Sequence, residues 1–453
     1  MYRFDEPQPS FWEATAGAVQ PEARPLSQDE SCDVAIVGGG YTGMSAALHL
    51  AGDHQLDVRV LEAGHIGWGA SGRNGGFCGM GGSALDLDTK LRRYGVDNVR
   101  HYYQSQMNAV ELVRQIILTE NMDINLQGDC ELEVAHSPRA FEHLKDTAEK
   151  QFRLLGLDTD VMSADEFRER YFDSTEQYGA TRLRPTFGIH PLRYMNGLAM
   201  AAEHAGAKLH ARSEITDWQK PEEQHVLVTR GGTLRANRVI VAANGFMPEH
   251  LRRDFYGVPL PMISAIIVTR PLTDNELAAH RLQTENPAIN SRELMNYFRL
   301  LPDRRFMFGG RGHSTGTAES TMQVKSRLCA QLARQWPAWR DVEVEYFWHG
   351  LICMTKRLTP CIGRLADDPS VFYGFGYHGN GVNSSTWTGK TIADWLAKSA
   401  LHDSKVPDSL PVMVRGLSPK FPFPAMRLHY LRVALVWKQL RDTLSSSKEK
   451  PAP

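Results

Sequence analysis

Gly38-Gly39-Gly40-Tyr41-Thr42-Gly43 satisfies the spacing G-x-G-x-x-G where an apolar run, Asp33–Val37, gives way to a helical pattern, Tyr41–Ala51. Gly38 permits a tight turn, Gly40 lets backbone approach a pyrophosphate, and Gly43 lets the helix close onto the strand. The helix start at Tyr41 and Thr42 adds oriented N–H groups and a partial positive charge. A second strand, Asp57–Leu61, ends in Glu62 and Ala63, with Glu62 standing 19 residues beyond Gly43. An acid there accepts both hydroxyls of an adenosine ribose and disfavours a 2′-phosphate, so the expected ligand is an adenine dinucleotide other than NADP.

Two further glycine-dense segments extend the binding surface. Trp68-Gly69-Ala70-Ser71-Gly72-Arg73-Asn74-Gly75-Gly76-Phe77 follows Glu62 closely, and Gly374-Phe375-Gly376-Tyr377-His378-Gly379-Asn380-Gly381-Val382 leads into a C-terminal helical pattern through Trp395. An NAD site has no use for the first of these, whereas an extended FAD needs close-approaching backbone beside its ribityl chain and ring. Ser71 is expected at the pyrophosphate, and Arg73, Asn74, Gly75 and Gly76 along the ribityl–flavin side. The backbone of Gly379, Asn380, Gly381 and Val382, ahead of a helix, suits the electron-rich end of a reduced flavin.

These loops must be positioned by β–α–β elements. After the opening unit come helical patterns at 97–120 and 137–155. A helix at 194–205 follows, with strands near 207–211, 225–229 and 238–242. Between 256 and 344 the pattern turns to β-rich runs (262–269, 297–300, 305–308) with one helix near 321–335, and residues 371–397 return to strand, loop and helix. The expectation is an α/β plus α+β protein, with a Rossmann-type FAD-binding domain and an interleaved antiparallel-sheet substrate domain. The FAD-binding domain takes residues 31–110, 185–255 and 345–405, and the substrate domain takes 111–184 and 256–344. An extended N-terminal arm covers 1–30 and a tail with an amphipathic helix covers 406–453.

A length of 453 residues suits two cores, and a formal net charge of −1 provides no field for nucleic acid. Six scattered cysteines show no metal-ligand spacing and read as buried thiols of a reducing compartment. Without a visible leader or an apolar run of about 18 residues, a cytoplasmic location is expected.

As a set, these motifs resemble the D-amino-acid-oxidase-like superfamily of FAD oxidoreductases, with the Trp68–Phe77 stretch nearest its γ-glutamylputrescine oxidase branch. Ile189-His190-Pro191, the strand Arg238–Ala242 with Ala243 and Gly245, Gly309-Gly310, and Trp348-His349-Gly350 ahead of Pro360-Cys361-Ile362-Gly363 extend the match. The resemblance implies an antiparallel sheet lying over the flavin, adenine read by the backbone of Ile215, and a small-molecule amine or amino acid as substrate. It also exposes departures. Asn380 stands where the family's loop carries His, and His378 lies two residues earlier. Asn383 aligns with a carboxylate-gripping lysine, Met307 with an oxygen-activating lysine, and Arg311 near an active-site histidine. The covalent-flavin cysteine maps nearer Gly350 than Cys353, so FAD is expected to be non-covalent.

The implied chemistry is oxidation of a C–N bond. A hydride passes from the carbon of a neutral amine to flavin N5, and the imine hydrolyses in water, a reaction that needs orientation and dryness more than a nucleophile. Arg311 is the candidate substrate anchor or a structural arginine, and Tyr377 and His378 are candidates to face flavin or substrate. His190 reads as packed, and Lys356 and Arg357 as flanking the flavin edge or exposed. Electrons then pass to O2 or, in a dehydrogenase, to a quinone or carrier, while a flavin-binding module without turnover is the remaining alternative. Ala425–Leu440 mixes apolar and basic residues behind Phe421-Pro422-Phe423-Pro424. It reads either as a helix docked on the protein or as one lying in an anionic membrane interface.

Overall fold

A computed structural model describes residues 3–6, 9–18, 20–313, 317–399 and 405–447. The opening apolar run forms a strand, Glu30–Val37, in the middle of a parallel sheet. To one side lie Val58–Leu61 and Lys208–His210; to the other lie Thr233–Val241 and Val371–Phe375, with antiparallel Cys361–Arg364 beyond. Ala35, Ile36, Val239 and Ile240 are fully buried, as continuous apolar strands covered on both faces must be. The helices Tyr41–Gly52 and Val382–Lys398 lie against each other here, close enough that a Cβ on Gly389 would stand 2.4 Å from the Thr42 carbonyl oxygen. That approach brings the first and third glycine loops to the same sheet edge, although more than 300 residues separate them in the chain.

The second sheet runs in the order Val344–Thr355, Pro259–Pro271, Arg305–His313, Asn296–Leu300, Ala288–Asn290, Glu131–Val134, Ala180–Arg184, Asp158–Met162. Its pairs are antiparallel except Ala288–Asn290 with Glu131–Val134. The helix Ala318–Gln335 covers one face over a core rich in Phe298, Phe306, Phe308, Trp336 and Trp339. The other face turns toward the parallel sheet. The expected two-part architecture is present, and several expected boundaries move. Val344–Thr355 belongs to the antiparallel sheet, so the return to the parallel sheet comes after Thr355 and not at 345. A single kinked helix, Leu87–Thr119, runs through the boundary expected at 110.

The two ends also differ from expectation. The N-terminal arm is not simply extended, because Phe11–Thr15 is helical and buries Phe11 and Trp12 in the main core. Within the expected tail, Leu410, Met413 and Val414 belong to that same core, and Arg357 clasps the carbonyls of Arg415 and Gly416. Arg357 is therefore a structural clasp, not a flavin-edge residue. The tail helix forms over Arg427–Ser447 and docks through Leu431 and Leu435 beside Leu260 and Met262.

Candidate active site

Where the parallel sheet's loops meet the antiparallel sheet there is a cavity of about 630 Å³, well inside the range of small-molecule sites. All three glycine loops line it. From the first come Gly38, Gly40, Tyr41 and Thr42, with Glu62 and Ala63 beside them. The Glu62 carboxylate accepts from the N–H groups of Gly39 (2.7 Å) and Gly64 (2.8 Å), and burial lifts its pKa above the ordinary value. Its remaining lone pairs suit the hydroxyls of a ribose. Ser71 Oγ accepts from the Tyr41 N–H (3.0 Å) and sits 2.9 Å from where a Gly40 Cβ would be. Gly43 lies off the cavity, its would-be Cβ 2.0 Å from the Gly38 carbonyl oxygen; it serves helix–strand packing alone.

The second loop contributes Ser71, Arg73, Asn74 and Gly75, but its polar side chains are largely spent on its own shape. Asn74 donates to the Ala70 and Ser71 carbonyls and accepts from the Gly76 N–H, so it staples the loop more than it reaches outward. The Arg73 guanidinium stacks 4.1 Å over Trp68, while Trp348 Nε1 donates to the Arg73 carbonyl. Gly76, expected to touch the cofactor, faces away from the cavity, and a Cβ there would meet the Ile189 carbonyl oxygen at 2.0 Å. Beneath it Arg299 is buried and donates to Gly75 O, Gln127 Oε1 and Ile189 O, its pKa pushed down to about 9 by burial. This arginine holds the second loop from below, a role the sequence did not suggest.

The third loop places both Tyr377 and His378 on the cavity wall, with their polar atoms already engaged by the protein. Tyr377 lines the cavity, but its hydroxyl is hydrogen-bonded to Thr42 Oγ1 at 2.7 Å, tying this loop to the first. His378 accepts the Thr355 N–H on Nε2 and bonds the Gly82 carbonyl through Nδ1, and burial pushes its pKa down to about 3. A neutral ring bound to backbone at both nitrogens is poorly placed to act as an acid or base. Asn383 is fully buried away from the cavity and cannot grip a substrate carboxylate. His190 is packed as expected, capping the helix Pro191–His204.

On the side of the antiparallel sheet, Arg311 lines the cavity with no hydrogen-bond or ion-pair partner for its guanidinium among the described residues, and burial lowers its pKa. Ser264 and Tyr297 are hydrogen-bonded to each other at 2.9 Å, and burial pushes the Tyr297 pKa up to about 12. Glu131 also faces this space, a residue passed over because nothing in its short strand pattern marks it.

The residues present fit FAD. The helices starting at Tyr41 and Val382 both open on the cavity with glycine, and hence no capping side chain, at their N-termini, leaving N–H groups for anionic oxygens. Asn380 Oδ1 is buried at the cavity edge without a hydrogen-bond partner among the described residues, as suits an atom that meets a polar ligand. Ile215 and Ala243 complete the wall at the Glu62 end. Cys353 lines the cavity too, but burial raises its pKa and keeps the thiol protonated. Among the described residues, no cluster of three or more His, Cys, Asp or Glu is arranged for a metal ion.

The family described as FAD dependent oxidoreductase (DAO) matches residues 33–395. The γ-glutamylputrescine oxidoreductase of Escherichia coli (strain K12) is 29% identical over 439 residues, 96% of this chain and 98% of that protein. The probable oxidoreductase OrdL of Rhizobium meliloti (strain 1021) is 29% identical over 435 residues, 96% of this chain and 97% of that protein. Among solved structures, glycine oxidase from Geobacillus kaustophilus shares the fold with TM-score 0.68 at 22% identity, covering 82% of this chain and 95% of that one.

Proposed function

This chain belongs to the FAD-dependent oxidoreductase family, and we propose that it oxidises the C–N bond of an amine or amino acid to an imine, which water then hydrolyses. The observation that carries this reading is the Arg311 guanidinium, without a partner among the described residues and facing a cavity that the three glycine loops also line. FAD, when bound, supplies the two-electron acceptor. Arg311 offers a forked donor for a substrate carboxylate, strengthened by its low-dielectric surroundings. The N-terminus of the helix Val382–Lys398 favours negative charge beside it. The names of relatives point the same way, since γ-glutamylputrescine is an amine and glycine an amino acid. Anaerobic mixing with a panel of amines and amino acids tests the reading: bleaching of the flavin by at least one supports it. A flavin left oxidised by every member would leave a binding module without turnover.

For the electron acceptor, two observations favour a quinone or carrier over O2. Fully buried Met307 stands where the resemblance places an oxygen-activating lysine. The tail helix turns Val433, Val436 and Trp437 to solvent, with relative exposures of 71%, 59% and 57%. Such a surface suits an enzyme resting on an anionic membrane, although no helix among the described residues is long and apolar enough to cross one. Faster reduction of a quinone analogue or dye than of oxygen supports this acceptor; equal or faster oxygen consumption would remove it.

A further inference from the structure

The strand Glu131–Val134 buries Leu132 and Val134 in the aromatic core and turns Glu131 and Glu133 to its other face. Glu131 lines the cavity, and like Arg311 it has no hydrogen-bond or ion-pair partner for its side chain among the described residues. The two charges sense each other across the cavity wall without forming a direct ion pair. An enclosed carboxyl group and an enclosed guanidinium, each without a polar partner among the described residues, are features that a fold does not require. Among the described residues neither side chain is hydrogen-bonded or ion-paired to the architecture, and both line the cavity.

We propose that Glu131 and Arg311 form a dipolar recognition site, and that the substrate carries a carboxylate for Arg311 and a second, non-reacting cationic nitrogen for Glu131. The proposal rests on the amine-oxidation reading and narrows its substrate class to diamino acids and their conjugates. A ligand bearing both charges pairs both residues at once. A ligand bearing only a carboxylate leaves Glu131 facing it, and one bearing only amines leaves Arg311 facing them. Burial, reinforced by neighbouring Glu133, pushes the Glu131 pKa up to about 8, against the opposing pull of Arg311. An entering cation therefore finds a group that regains its charge as the pair forms.

The test uses the FAD-loaded protein, titrated anaerobically with ornithine, norvaline and 1,4-diaminobutane. Binding is read from perturbation of the flavin absorbance and reduction from its bleaching. Ornithine should bind about tenfold or more tightly than either of the others, the scale of one charge-assisted hydrogen bond. Glu131→Gln should erase the ornithine–norvaline difference while leaving norvaline affinity within about twofold, and Glu131→Asp should keep part of it. A wild-type protein without the preference, or a preference that survives Glu131→Gln, overturns the proposal. Failure of the parent reading looks different: the perturbation shows the binding preference, yet no ligand bleaches the flavin.

Discussion

Among single residues, those that a cofactor's shape dictates are legible in sequence, and those that the fold recruits are not. The glycine loops could be read because only glycine leaves room there. Gly40→Val should strip the protein of FAD, since the added side chain collides with Ser71 at the mouth of the first loop. Colour and released flavin in the purified variant check this. Arg311→Met should raise KM at least about tenfold for carboxylate-bearing substrates and hardly at all for simple amines. Tyr377 and His378 looked catalytic because they sit inside a glycine loop, yet Thr42 and two backbone groups occupy their polar atoms. No linear pattern discloses a partner such as Thr42, more than 300 residues from Tyr377. Glu131 carries a stability signature as well. Its carboxyl ionises near the ordinary value of 4.5 in the unfolded chain and near 8 when folded, so the native state holds the extra proton. Stability should therefore fall as pH rises from about 4.5 toward 8. Glu131→Gln, which cannot ionise, should flatten that slope and raise the Tm at pH 7.5 by about 1–3 °C. Thermal melts across pH on both proteins decide it, and parallel curves would mean that Glu131 is charged and solvated in the native state.

Among the elements, long periodic runs were readable and short amphipathic ones were not. The central strand, its glycine-loop helix and the helix read near 321–335, which forms over Ala318–Gln335, announce themselves by sustained apolar patterns. Glu131–Val134, Asp158–Met162 and Ala180–Arg184 are strands of four or five residues set among helices. Their pairing is decided by the sheet they join more than by their own composition. The N-terminal helix Phe11–Thr15 was hidden in a Pro-rich segment that carries no helical period. Its consequence for the site is direct, because Trp12 Nε1 donates to the Asn74 carbonyl at 2.9 Å while its ring packs on His190 and Trp348. Removing that ring takes away both packing and a clamp on the second glycine loop. Trp12→Ala should cost about 3–5 kcal/mol of stability and release flavin at a lower temperature than the wild type. Flavin fluorescence followed during a thermal ramp reads this, and an unshifted release temperature would show that the second loop stands without its clamp.

For the whole molecule, the tail helix resolves a pattern that was ambiguous in sequence because it carries two apolar faces. At about 100° per residue, Leu431 and Leu435 fall on one side, and these pack beside Leu260, Met262 and Ile352 on the antiparallel sheet. Tyr430, Val433 and Trp437 point away from that side and remain exposed, with His429 and Arg432 exposed beside them. The root of the helix is fixed near the cavity rim, where Arg427 pairs with Glu249 and Pro424 abuts Gly257, while Pro248 and His250 line the cavity itself. A surface resting on this helix would therefore lie close to the active site, as electron delivery to a membrane carrier requires. Docking by one face and membrane contact by the other are compatible, so deleting the helix is a poor test: it would also bare Leu260 and Met262. The paired substitution Val433→Ser with Val436→Ser alters the exposed face and leaves Leu431 in place. Wild-type protein should sediment with anionic phosphatidylserine-containing vesicles, increasingly so at low salt, and much less with neutral phosphatidylcholine vesicles. The double variant should keep its melting temperature and lose most of that partitioning. Equal sedimentation of the two proteins would mean that the outer face does not meet lipid.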